Sequence, residues 1–190
     1  MKYLGKISDS KIIREDLKYA VPSQRGKIRQ YLLEEQKGFC AYTERHIREN
    51  DSFHIEHFDD RKKGTDLDGY DNWYAVLPWS NERKPGIEKH LPVLAPGSAG
   101  ISNRIRFDET GVFVANNEDD VEAKNLLKLI GINKPEVYRD RAKHVERMRS
   151  LRELCGSDAL FFRKMSEHRD NLSYASALEC LLEINLAELI

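Results

Sequence analysis

Glu56 and His57 stand side by side at the end of an apolar, strand-like run, Phe53-His54-Ile55-Glu56-His57-Phe58. Asn72 follows inside Tyr70-Asp71-Asn72-Trp73-Tyr74, and Asn81 inside Ser80-Asn81-Glu82-Arg83-Lys84. A carboxylate, an imidazole and two side-chain amides are groups that phosphodiester hydrolysis can use. A histidine, whose ordinary pKa is near neutrality, can deprotonate a water. A divalent ion can neutralise charge at the phosphorus and support the departing alkoxide. Magnesium prefers oxygen ligands and keeps several waters, so one carboxylate and one amide oxygen are enough from the protein. On this reading His57 is the general base, and Glu56 and Asn81 hold Mg2+ or Mn2+. Asn72, which offers donors and an acceptor together, ties the loop after His57 to the next strand and orients the imidazole.

Taken singly, each residue has a plainer role. Surface Glu–His pairs are common, and asparagine is a standard turn and cap residue. Asn81 can N-cap a short helix whether or not it binds metal. His54 shares the Glu56 face of the strand, where it either binds metal or substrate or covers the sheet. Arg61, Lys62 and Lys63 on one side, with Arg83 and Lys84 on the other, are the candidate phosphate contacts. The combination carries the reading.

These residues need a scaffold of strand, loop, strand and short helix over residues 38–92. Residues 51–58 alternate enough for the first strand, and the polar segment 59–68 reads as a loop. Residues 72–79 are β-leaning up to Pro78, and a helical turn begins at Ser80 or Asn81. Upstream, residues 1–37 form an arm and a helix with Ser23 as N-cap and Ile28, Tyr31 and Leu32 on one face. The outer face of that helix carries Arg25, Lys27 and Arg29. Downstream, residues 93–190 open on a Pro/Gly-containing connection. A β-hairpin then turns at Gly111, and a helix carrying Ala123, Leu126, Leu127 and Ile130 ends at Gly131. Asn133-Lys134-Pro135-Glu136 resembles a capping box for a second helix that runs to Cys155. A last leucine stripe runs through Leu178, Leu181, Leu182, Leu186 and Leu189 at helical spacing. The expected class is α+β.

With 190 residues, 40% hydrophobic and 33% charged, the chain suits one compact domain or a small catalytic module with a helical extension, and not a disordered protein. A formal net charge of -1 offers no global positive field, so a polyanion must be met by local patches. Cys40, Cys155 and Cys180 are far apart and do not suggest a disulfide framework. The first residues lack a signal-peptide core, and no segment has the length of a membrane span. The expectation is a soluble, cytoplasmic protein.

The stretches Phe39-Cys40-Ala41-Tyr42-Thr43-Glu44, His54-Ile55-Glu56-His57-Phe58, Asp71-Asn72-Trp73 and Asn81-Glu82-Arg83-Lys84 together resemble the HNH endonuclease superfamily. Within it they are similar to the PtuB-like nucleases of the Septu anti-phage system, which also accompany some retrons. The hairpin at Gly111 and the run Leu129-Ile130-Gly131-Ile132-Asn133 leading to Arg139 and Arg141 extend the likeness past the core. The resemblance implies a ββα-metal core with His57 as base, Glu56 and Asn81 as metal ligands and Asn72 as the orienting asparagine. It also implies a PtuA-like ATPase partner and a nucleic-acid target, DNA favoured over RNA. RNA such as tRNA remains open, because the chemistry acts on the phosphate and ignores the sugar. A catalytically inactive scaffold subunit also remains open. One departure stands out. Many HNH proteins frame the site with two Cys-x-x-Cys pairs that bind a structural zinc. Here Cys40 is followed by Thr43, and Leu77 and Ser80 occupy the second pair's positions. No structural zinc is expected, and packing of Tyr42, Trp73, Tyr74 and Trp79 takes its place.

Overall fold

A computed structural model describes residues 1–2, 6–81 and 84–190, with Asn81 in its backbone only. The class is α+β: helices surround two small antiparallel hairpins. In chain order the first half contains α1 (Lys11–Arg14), α2 (Arg25–Glu35), β1 (His54–His57), β2 (Trp73–Val76) and α3 (Pro78–Asn81). The second half contains α4 (Ile101–Arg104), β3 (Ile105–Phe107), β4 (Phe113–Ala115), α5 (Val121–Ile130), α6 (Pro135–Cys155), α7 (Asp158–Glu167) and α8 (Ala175–Leu182).

β1 and β2 pair with His54 opposite Val76, Glu56 opposite Tyr74 and His57 opposite Trp73. All four residues of β2 are buried, which fits its continuous apolar sequence. α2 packs on this strand, burying Ile28 and Leu32. It begins at Arg25, after Ser23, because Pro22–Gln24 closes a 3-10 turn and Gln24 takes the capping position. α3 likewise starts at Pro78, ahead of Ser80, as proline suits the first helical turn.

The end of α2 locks the sheet. Gln36 Nε2 donates to Phe39 O at 2.8 Å and to Ala75 O at 2.9 Å, and its Oε1 accepts from Ala75 N at 2.8 Å. One buried amide thus meets the free edge of β2. Beside it, Cys40 Sγ accepts from Leu77 N at 3.4 Å and lies 4.0 Å from Ser80 Oγ. Cys40, Leu77 and Ser80 therefore do meet, through a thiol–amide contact. Tyr42, Trp73 and Tyr74 are buried around them, and Trp79 is partly buried.

In the second half, the β3–β4 hairpin turns through Gly111 at φ +90°. α5 ends on Gly131 in the left-handed region, and α6 runs to Gly156. The capping box at α6 does not form. Lys134 holds the N-cap position, and the Asn133 amide is spent on the Phe113 backbone, accepting from N at 2.9 Å and donating to O at 2.7 Å. Arg141 is buried between the Phe107 and Phe113 rings, and donates to Ile132 O and Gly111 O. The terminal leucine stripe is broken. α8 stops at Leu182, with Glu183 left-handed, so Leu186 and Leu189 pack from a non-helical tail. α7, capped by Ser157, has no counterpart in the periodicity read from the sequence.

One hydrophobic cluster draws on residues 1–37, 38–92 and 93–190 together. Glu44 ties its ends, accepting from Lys2 N at 2.6 Å, Ser176 N at 2.9 Å and Ser176 Oγ at 2.8 Å. Among the described residues no helix is long and apolar enough to cross a membrane.

Gln36→Leu removes three buried hydrogen bonds while keeping the volume. Urea unfolding of this variant is expected to show a loss of about 2–4 kcal/mol, given ~1–3 kcal/mol for each stranded buried group with partial relaxation. A loss under about 0.5 kcal/mol would show that the amide is not what holds β2.

Candidate active site

Glu56 and His57 close β1, and each is 5% exposed. As neighbours on a strand they leave it on opposite faces. Glu56 turns toward Tyr42, whose hydroxyl donates to Oε1 at 3.2 Å, and toward Lys84, whose Nζ lies 2.6 Å from the same oxygen. Lys84 Nζ also donates to Phe58 O at 2.6 Å and His57 O at 3.3 Å. This lysine is a buried cation fixed to both sides of the strand end.

His57 turns the other way. Its ring meets Tyr19 edge-on at 4.5 Å between centroids, with Trp73 farther out. Nε2 lies 3.2 Å from Asp68 Oδ2, within ion-pair reach but out of hydrogen-bond alignment. Burial lowers the His57 pKa, and the Asp68 carboxylate works against that shift. The neutral ring therefore dominates at neutral pH, as a base requires.

Asp68 was not singled out by the sequence, yet it organises the site. Its Oδ1 accepts from Trp73 Nε1 at 2.7 Å and Asn72 Nδ2 at 3.2 Å, and its Oδ2 accepts from Gly64 N at 3.3 Å. Asn72 also grips the backbone just past His57, since Oδ1 accepts from Asp59 N at 2.8 Å and Nδ2 donates to Asp59 O at 3.1 Å. The amide thus links the loop after β1 to the entry of β2. The only signal that could have marked Asp68 is a carboxylate four residues before Asn72 in an otherwise polar loop.

A cavity of about 220 Å³ is lined by Glu56, His57, Asp60, Lys63 and Lys84. Behind the ring a second, of about 500 Å³, is lined by Tyr19, Asp68 and Trp73 with Lys18, Arg25 and Lys63. Of the candidate substrate contacts, Lys63 and Lys84 are brought to His57. Arg61 is instead held on Asp59 through two 2.8 Å bonds, and neither Lys62 nor His54 lines either cavity. His54 is half-buried opposite Val76. The Asn81 side chain and Arg83 lie outside the described residues.

Glu56 offers the hard oxygen that magnesium favours. Among the described residues, however, no three of His, Cys, Asp and Glu converge on one point. The Glu56 oxygen nearest the cavity's cation is already matched by Lys84. A divalent ion at that oxygen would compete with the ammonium. Scans of the chain against protein families, curated proteins and solved structures return no match.

Asp68→Asn keeps acceptor oxygen for Trp73 and removes the charge facing His57. NMR titration of the His57 ring is expected to give a midpoint lower than in the wild-type protein, because burial then acts unopposed. A raised or unmoved midpoint would separate Asp68 from the base. Folded His57 titrates below its unfolded value of about 6.5. Its contribution to stability is therefore present above that pH and lost as pH falls through the window beneath it.

Proposed function

We propose that the protein is an HNH-type endonuclease that hydrolyses phosphodiester bonds of nucleic acid, with DNA the favoured substrate. The supporting observation is the end of the β1–β2 hairpin. It places a neutral, buried His57 beside a carboxylate, backs it with Asp68, and opens it onto a cavity carrying Lys63 and Lys84. With Nε2 turned to Asp68, Nδ1 is the nitrogen that takes a proton from the attacking water. Asn72 holds the strand end so that the ring cannot swing away from that water. Lys63 and Lys84 meet the phosphate charge. An ion held by Glu56 and Asn81 would supply charge at the phosphorus and the leaving oxygen. The sequence resemblance to PtuB-like nucleases supports a reading in which the reaction serves cytoplasmic anti-phage defence, with a PtuA-like ATPase, and in some systems a retron, bringing the target.

The buried Lys84–Glu56 pair favours a second reading, a catalytically inactive HNH-fold scaffold in which Lys84 permanently fills the cation position. Cleavage of plasmid DNA and of RNA, with Mg2+ or Mn2+ and with or without the ATPase and ATP, separates the two. Divalent-dependent cleavage is expected to fall about 10²–10⁴-fold in His57→Ala. Robust cutting by that variant would remove His57 as base. Binding without cutting under every condition would leave the scaffold.

Exchange of lysine for metal has its own readout. Lys84→Ala is expected to bind Mn2+ at least several-fold more tightly than the wild-type protein in calorimetry without substrate. Equal affinity would show that Lys84 and the ion do not compete for Glu56.

A further inference from the structure

Away from His57, α6 carries Lys143 and Arg147 one turn apart on its exposed side. They face Arg45 and Arg48 across a cavity of about 210 Å³. A neighbouring cavity of about 520 Å³ shares Arg48, Arg147 and Asp170 and adds Lys164 with its ion-pair partner Glu167, and His168. The two make a continuous trough that shares no lining residue with either cavity at His57.

The charges along this trough do not cancel. Asp170 is taken by Arg48 Nε at 2.5 Å and His46 Nδ1 at 2.9 Å. Asp140 accepts from the Tyr174 hydroxyl and lies 3.9 Å from Arg45 Nε. Lys143 and Arg147 have no carboxylate partner among the described residues. Arg147 Nη2 instead donates to His144 Nδ1 at 2.8 Å, and His144 Nε2 in turn reaches Asn171 O at 3.2 Å. That pattern needs Nδ1 as acceptor and Nε2 as donor, which is a neutral imidazole. Burial agrees, pushing the His144 pKa down to about 4. A neutral ring orients the guanidinium without offsetting its charge.

The chemistry selects the ligand. An aligned guanidinium with a nearby ammonium suits a phosphate oxygen. Tyr174, the aromatic residue of the smaller cavity, is buried with its hydroxyl on Asp140, so it offers no open face for a base. Cations spaced along joined cavities match a charged polymer better than one small anion.

We propose that this trough is a second phosphate-binding surface, where Lys143 and Arg147 hold the backbone of a nucleic-acid strand remote from the bond cut at His57. It rests on the nuclease reading for the strand's identity. The test compares the wild-type protein, the control Lys128→Gln at an exposed α5 position and the double variant Lys143→Gln/Arg147→Gln in divalent-free buffer. The glutamine at 147 keeps an amide donor for His144 while removing the charge. The probe is a fluorescent single-stranded oligonucleotide followed by anisotropy over a salt series.

Lys128→Gln is expected to bind like the wild-type protein. The double variant is expected to bind at least five-fold more weakly, with a log K against log salt slope shallower by about 1.4, at ~0.7 per lost contact. Unchanged affinity and slope in the double variant overturn the proposal, and if the wild-type protein still cleaves, the nuclease reading survives that failure. Inorganic phosphate, followed by 31P line broadening, is the second probe. Phosphate binding lost in the double variant, without oligonucleotide binding by any form, makes the trough a small-phosphate site and overturns the strand. Poly-glutamate bound more tightly than the oligonucleotide, and released by the same substitutions, would overturn it in favour of an acidic protein.

Discussion

Asp68 is the constraint from which the site's shape follows. A buried carboxylate left without donors costs several kcal/mol, so the chain around it must bring N–H groups to it. They come from Gly64 in the loop, Asn72 before β2 and Trp73 at its start. Satisfying one carboxylate therefore fixes the loop's path and the entry of β2. His57, paired opposite Trp73, is carried to the same place by the sheet register. The Asn72 grip on Asp59 then closes the circuit from β2 back to the end of β1. An imidazole positioned this way needs no strong bond of its own. Its location is settled by hydrogen bonds that other residues make.

The opposite face of β1 solves the same problem differently. Among the described residues Glu56 has Tyr42 and Lys84 against its carboxylate, and Lys84 spreads its donors over backbone oxygens as well. A buried pair of this kind gains little net stability, because desolvation offsets most of the attraction. What it secures is placement, since neither partner can leave without stranding the other. Any cation that reaches Glu56 must first give Lys84 somewhere to go. Tyr19 covers the other face of the site, so the N-terminal segment belongs to the site's wall.

Features set by neighbouring residues were legible in the sequence. The adjacent Glu56 and His57, the turn at Gly111 and the helix ends at Gly131 and Gly156 each follow from a local rule about strands or left-handed glycine. Features set by distant partners were not. Asn133 reads as a cap, but the Phe113 backbone lies within reach only after the hairpin has docked. Gln36 reads as a polar helix end, yet it completes the edge of a strand far along the chain. Asp68 reads as one more acid in a loop, because nothing in its spacing from His57 reports that the loop folds back. The tail leucines keep helical spacing where the backbone is not helical, since packing rewards burial by any conformation.

Burial also redistributes charge in a way that composition hides. Lys84 is enclosed beside Glu56, Arg141 lies on carbonyl oxygens between two phenylalanine rings, and Lys6 sits over the rings of Tyr70 and Tyr74. Lys6 is so desolvated that its pKa falls to about 7, which leaves it only partly charged near neutrality. These cations are spent inside a chain whose formal net charge is only -1. Glu44, Glu56 and Asp59 are buried as well, so burial leaves the surface balance near the bulk count and long-range attraction for a polyanion weak. Fields from the remaining cationic patches fade over a Debye length of about 8 Å at physiological salt. On the proposed nuclease reading, a nucleic-acid strand would be captured at contact distance, where an uncompensated lysine or guanidinium meets a phosphate, and not steered from afar.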